Sequence, residues 1–131
     1  MNRFLFILAG LAALAVTLIR AIAGGAGDLA ILLSALEGNA IRGVVIINWH
    51  ALTAVFGLLA VGLLFSAWLP RPAGVMVGLL AAGAFGTTCG LFMAVAAAET
   101  GSPFTYFPYI PLGVTAVLSL LAAMTAPKVR R

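Results

Sequence analysis

Apolar residues come in long unbroken runs along this chain, over residues 4–23, 43–69, 73–98 and 108–126, and the polar residues crowd between them. The runs are continuous rather than alternating, which disfavours strands. Each reaches, or can be extended to reach, the roughly 20 residues with which a helix crosses a bilayer. The pattern predicts an all-α fold, an integral membrane four-helix transmembrane bundle forming one domain over residues 1–131. Pro70-Arg71-Pro72 makes a tight turn between the second and third spans. The long connections are residues 24–42 and 99–109. Residues 28–36 are apolar enough to lie in the membrane interface or dip back into the bundle. Trp49 and Trp68 stand 19 residues apart, about 28 Å along a helix. That span nearly matches a hydrocarbon core of ~30 Å, so the two indoles read as markers of its two faces.

Composition strengthens this picture. Hydrophobic residues make up 64% of the chain and charged residues 8%, where a soluble domain carries about 25% charged. Such a chain cannot cover itself with polar groups, and lipid is the solvent that tolerates its surface. The net charge of +4 rests on seven basic residues placed between apolar runs. They act as topology signals rather than a phosphate-tracking patch, so nucleic acid is not an expected partner. With four spans, Arg3, Arg71, Lys128, Arg130 and Arg131 share one side. Arg20 and Arg42 fall on the other, with Asp28, Glu37 and Glu99. The excess of basic residues places both termini in the cytoplasm of a bacterial inner membrane. The tail Lys128, Arg130 and Arg131 also suits anionic lipid head groups. The first run resembles a secretory leader ending at Ala21-Ile22-Ala23. Arg20 interrupts the approach to that site, and the segment reads as a retained first helix.

Candidate chemistry is sparse. Cys89 is the single cysteine, so it makes no internal disulfide and reads as a small core residue. No metal site and no catalytic motif is expected, and the chain reads as a non-enzyme. No charge falls near the middle of a span, which argues against an ion-coupled transporter. The polar residues gather on the outer face, where Arg42, Asn48, His50 and Glu99 are expected to form one cluster covered by Tyr106 and Tyr109. His50 is the one candidate for a cofactor, through a haem iron or a quinone carbonyl. In the third run Gly74, Gly78, Ala82, Gly86, Gly90 and Ala94 recur at every fourth position. Small residues let helices approach closely in lipid, so this helix is expected to be the most buried. Thr87 and Thr88 are expected to bond back to their own helix.

Gly24-Gly25, Trp49-His50 with Thr53, and Pro108-Tyr109-Ile110-Pro111 give the chain a resemblance to a group of uncharacterised small bacterial four-span inner-membrane proteins. The resemblance covers most of the chain and implies a topology but no activity. Two other four-span families differ in their motifs. The fluoride channels resemble the chain through Asn48 and Thr87-Thr88, but Cys89-Gly90-Leu91 interrupts their polar-aromatic run. The small multidrug transporters carry a glutamate within their first helix that has no counterpart in residues 4–19. The expected function is therefore a non-catalytic integral membrane subunit, an accessory, assembly or stabilising component of a larger complex or homo-oligomer. Its partners would be membrane lipids, bound lipid among them, and other subunits or copies of itself. Two alternatives stand beside it: a passive transporter or channel for a small solute, and a haem- or quinone-binding subunit using His50.

Overall fold

A computed structural model describes residues 2–126 and contains only helices, turns and short irregular links within them. The helices are α1 (Asn2–Ile19), a π-helical stretch (Arg20–Leu29), α2 (Ala30–Ala35), α3 (Asn39–Ser66), α4 (Arg71–Thr100) and α5 (Tyr109–Met124). The first three join without a break. Three continuous helices, Arg3–Ala35, Asn39–Ser66 and Arg71–Thr100, are long and apolar enough to cross a membrane. The fourth, Tyr109–Met124, falls below that length. The basic tail, Lys128, Arg130 and Arg131, lies outside the described residues.

The helices form because their apolar positions repeat with helical spacing. On α1 the buried apolar side chains are Phe6, Ala9, Ala13 and Val16, and on α3 they are Phe56, Ala60 and Leu63, with Ala67 just past its end. Round the bundle the order is α3, α1, α5, α4, with α4 and α5 the most closely packed pair and α3 against α4 the sparsest seam. Phe56 of α3 closes that seam by stacking on Phe85 of α4, ring centroids 4.6 Å apart. Buried hydroxyls spend their hydrogen bonds locally. Thr17, Thr115 and Ser119 each donate to the carbonyl four residues back. Thr88 does the same to Ala84, as expected of it.

The most buried helix is the first, not the glycine-rich third span. One third of its apolar window is buried, 33%, against 17% for α4. The reason lies in its place in the ring, since α1 packs against both α3 and α5. Its closest crossing is at Gly10, where a Cβ would stand 2.6 Å from Leu64 Cγ and 2.9 Å from the Leu64 backbone nitrogen. The expected small-residue row on α4 is only partly inside. Gly74 and Gly78 are buried, Ala82 and Gly86 half-buried, and Gly90 and Ala94 exposed. A strict four-residue spacing drifts about 40° per step on a helix of 3.6 residues per turn. The buried face instead follows Gly74, Gly78, Ala81 and Phe85.

The expected first connection, residues 24–42, is helical as far as Ala35, and the chain turns only through residues 36–38. Gly38 makes that turn at φ +90°, and Gly101 ends α4 at φ +75°, both conformations that side chains rarely adopt. Gly24, Gly25 and Gly27 read as a loop on propensity, but the segment carrying them stays helical in the wider π form.

Helix length sets the shape of the two ends. The 30 residues of α4 extend about 45 Å, and the 16 of α5 only about 24 Å. At the end carrying Arg3 and the α3–α4 turn, here the terminal end, the helices finish together. At the opposite, loop end, α5 stops short and the link over residues 101–108 fills in above it.

Candidate functional site

The shortfall of α5 leaves a cavity of about 650 Å³ at the loop end. Its floor is apolar: Val16 from α1, Phe56 from α3, Phe92 from α4 and Leu112 from α5. Its roof comes from the α4–α5 link, through Thr105, Tyr106, Phe107 and Pro108. That link is held by its own hydrogen bonds. The hydroxyls of Thr100 and Thr105 meet at 2.7 Å, and Thr105 also donates to the Ser102 carbonyl at 3.1 Å.

Arg20 is the basic side chain of the wall. Its Nε donates to the Thr53 hydroxyl at 3.2 Å, and that hydroxyl in turn donates to the Trp49 carbonyl at 2.8 Å. The guanidinium carbon sits 4.1 Å from the centroid of a Trp49 ring, a cation–π arrangement. Spacing on α3 explains the pairing, because Trp49 and Thr53 are four residues apart and share a face. Gly24 lets the indole lie flat against the π-helical stretch, since a Cβ there would come within 2.9 Å of Trp49 Cζ2. The carboxylate of Asp28 flanks the same glycine, with Oδ2 3.8 Å from that Cβ position, and lines the cavity. A π-helix bonds residues five apart and widens the turn, bringing Arg20, Gly24 and Asp28 along one side. The Trp49 Nε1–H is buried with no partner among the described residues.

The arrangement can do three things chemically. It presents a planar cation with donors beyond the one held by Thr53, it sets an indole ring beside that cation, and it backs both with an apolar chamber. It lacks a nucleophile paired with a base. The cavity of a ligand-binding protein typically has this form, mostly apolar with a few convergent polar groups.

The residues expected from sequence are placed differently. Arg42, Asn48, His50 and Glu99 are all exposed, and none of them lines the cavity. His50 follows Trp49 by one residue, or about 100° round the helix, so with Trp49 turned inward it turns outward. Tyr106 does line the cavity, and Tyr109 is half-buried with its ring 5.5 Å from Phe104. The structure thus brings the two tyrosines near the site without the four polar residues they were expected to cover. Cys89 donates to the Tyr109 carbonyl at 3.3 Å and is half-buried on the α4–α5 seam.

Arg20, Trp49, Thr53 and Asp28 come together at the cavity wall, a grouping that was not among the expectations from sequence. One signal could have found it, an arginine inside an otherwise apolar run. Gly24, Trp49, Thr53, Pro108 and Pro111, quoted above for a family resemblance, converge on this cavity and its wall. By fold and site the chain is an all-helical protein with helices apolar enough to span a membrane and a polar-lipped cavity between them. No family model, no curated protein and no solved structure matches it.

Proposed function

We propose that this chain is a non-catalytic, multi-pass inner-membrane protein whose loop-end cavity binds a small amphipathic molecule. It acts alone, as a homo-oligomer, or as the binding subunit of a larger membrane complex. The observation that carries the reading is the Arg20 guanidinium set at the mouth of an apolar chamber. A cation in an apolar setting is costly unless it is used, and ionisable residues within spans mark ligand or ion sites. The ligand this fits has an oxygen-rich head, carbonyl or carboxylate, and an apolar body within the cavity's roughly 650 Å³. A quinone belongs to that class, held through Arg20 instead of His50. A haem is disfavoured, because the one histidine is exposed and lies off the cavity.

Membrane insertion is supported by the outward apolar surface, with Ile47, Leu58, Phe65 and Met76 each more than half exposed. Cytoplasmic termini are supported by Arg3 and Arg71 lining one pocket at the terminal end, while every acid stands at the other. Single cysteines introduced in a Cys89→Ser background test this orientation. Residue 37 should react with an impermeant maleimide in intact cells, and labelling of residue 37 only after lysis would reverse the topology.

Trp49 supplies the test of binding. In a Trp68→Phe background it is the one tryptophan, and a ligand between Arg20 and Phe56 must disturb its emission. Titration with decylubiquinone and with laurate, in detergent, is expected to give a saturable change with at least one of them. Arg20→Gln should abolish it. A linear, non-saturating response, or one unchanged in Arg20→Gln, would remove the proposal.

A further inference from the structure

The terminal end holds a second, smaller cavity, about 240 Å³, lined by Arg3 and Phe6 of α1, by residues 66–71 across the α3–α4 turn, and by Gly74 and Ala126. Its charge is one-sided. Arg3 and Arg71 both line it, and no acid among the described residues does. All three acids of the chain, Asp28, Glu37 and Glu99, belong to the loop end. The other polar side chains present are Ser66, whose hydroxyl is committed to the Gly62 carbonyl, and Trp68. Arg71 Nε is buried there without a hydrogen-bond partner among the described residues.

Three physical arguments converge on an anion. Two guanidinium-bearing side chains share one small cavity with no counter-charge among the described residues, and an anion there would gain charge-assisted hydrogen bonds. Arg71 also opens α4, where the helix dipole repels a cation instead of stabilising it. Finally, a guanidinium presents a fork of donors that fits the oxygens of a phosphate. The rim tells which phosphate. Phe4, Trp68 and Leu69 stand beside this end with 65%, 66% and 45% of their surfaces exposed. A soluble anion has no use for such a rim, whereas acyl chains would cover it and an interfacial tryptophan suits the headgroup level.

We infer that the Arg3–Arg71 pocket binds the phosphate of an anionic phospholipid, with its acyl chains lying along Phe4 and Leu69. The site is independent of the loop-end cavity and of whatever ligand that cavity takes. Bound lipid there would tie the α3–α4 turn to the start of α1.

The full chain, purified in detergent and stripped of lipid, provides the test. Phosphatidylglycerol, phosphatidylcholine and inorganic phosphate are added separately, and retention is read by native mass spectrometry alongside the unfolding temperature. Phosphatidylglycerol is expected to be retained and to raise the unfolding temperature, with phosphatidylcholine and inorganic phosphate without effect. One basic residue at a membrane surface is worth about fivefold in affinity. Arg71→Gln should therefore lose fivefold or more, Arg71→Lys should recover part of it, and Arg42→Gln, an exposed arginine at the other end, should leave retention unchanged. Because Arg71→Gln leaves Lys128, Arg130 and Arg131 in place, unchanged retention in that variant would assign the lipid to the tail and overturn the pocket. Equal retention of phosphatidylcholine, or equal protection by inorganic phosphate, would overturn it as well.

Discussion

The two ends of this bundle are built from the same few residue types and reach opposite results. At the terminal end glycines are contact points. Gly10 meets Leu64, Gly74 stands 3.4 Å (from its Cβ position) from the Phe6 ring and the Ser66 carbonyl, and Gly78 meets Ala123 at 2.9 Å. Toward the loop end of α4 the glycines lose their neighbours. Gly86 has only Ala116 at 3.7 Å, and Gly83 and Gly90 have nothing within 4 Å of a Cβ position. A small residue permits close approach but does not cause it. What decides is whether the residue faces a neighbouring helix: α5 runs beside this stretch, with Cys89 against Tyr109 and Gly113, but Gly83 and Gly90 turn outward. Beyond Tyr109 α5 is absent, and that space becomes the cavity. Gly24 is the exception that tests the rule, since at the loop end its close partner is the Trp49 side chain and not a helix backbone. Charge follows the same division. The loose end sets Arg20 and the Asp28 carboxylate along one cavity wall, and the tight end concentrates Arg3 and Arg71 with no carboxylate among the described residues.

The largest expected effect follows from that contrast. Gly10→Leu and Gly78→Leu should prevent folding or leave no cooperative thermal transition in detergent, because backbone atoms of the facing helix stand at 2.9 and 3.1 Å from the new Cβ. Even Gly78→Ala, which adds one methyl group, should cost about 1–3 kcal/mol through overpacking. Gly90→Leu should leave the monomer's transition almost where it was. Comparable loss of stability in Gly90→Leu and Gly78→Leu would mean that the outer face of α4 is covered, and that the two ends are not as different as they look.

Much of the helical architecture is legible in the sequence, because continuous apolar runs bounded by Pro70-Arg71-Pro72 and by Pro108 leave little else to build. The errors cluster where local propensity and tertiary context disagree. Gly24, Gly25 and Gly27 carry a strong loop signal, yet Gly24 is the place where the Trp49 ring must fit, and packing holds the segment helical. The cavity wall is built from other residues than the expected polar ones for a related reason. Asn48 and His50 flank Trp49 on α3, but position along a helix does not give rotation about its axis, and Arg42, Asn48, His50 and Glu99 are exposed and off the cavity. Arg20 was legible as an anomaly, an arginine closing an apolar run. Its partners were not, because they depend on α1 packing against α3, a choice among helix pairings that hydropathy does not make.

The smallest expected effect on stability is the most informative about the site. Arg20→Gln removes a cation–π contact worth about 1 kcal/mol. It also removes the cost of holding a charge beside an apolar chamber, which opposes the loss. The unfolding temperature should therefore move by no more than about 3 °C, since 1 kcal/mol shifts it by about 4–8 °C in domains of 60–100 residues and about 2–4 °C in those of 150–250. Trp49 emission should change clearly, since the guanidinium lies 4.1 Å from its ring. His50→Ala, one residue further along α3, serves as the matched comparison. His50 is exposed and outside the cavity, so neither the transition nor the Trp49 spectrum should move. A large drop in stability for Arg20→Gln would make the arginine a structural tie between α1 and α3. A shift of the Trp49 spectrum in His50→Ala equal to that in Arg20→Gln would place both side chains in one environment and restore the outer polar cluster in place of the Arg20–Trp49 site.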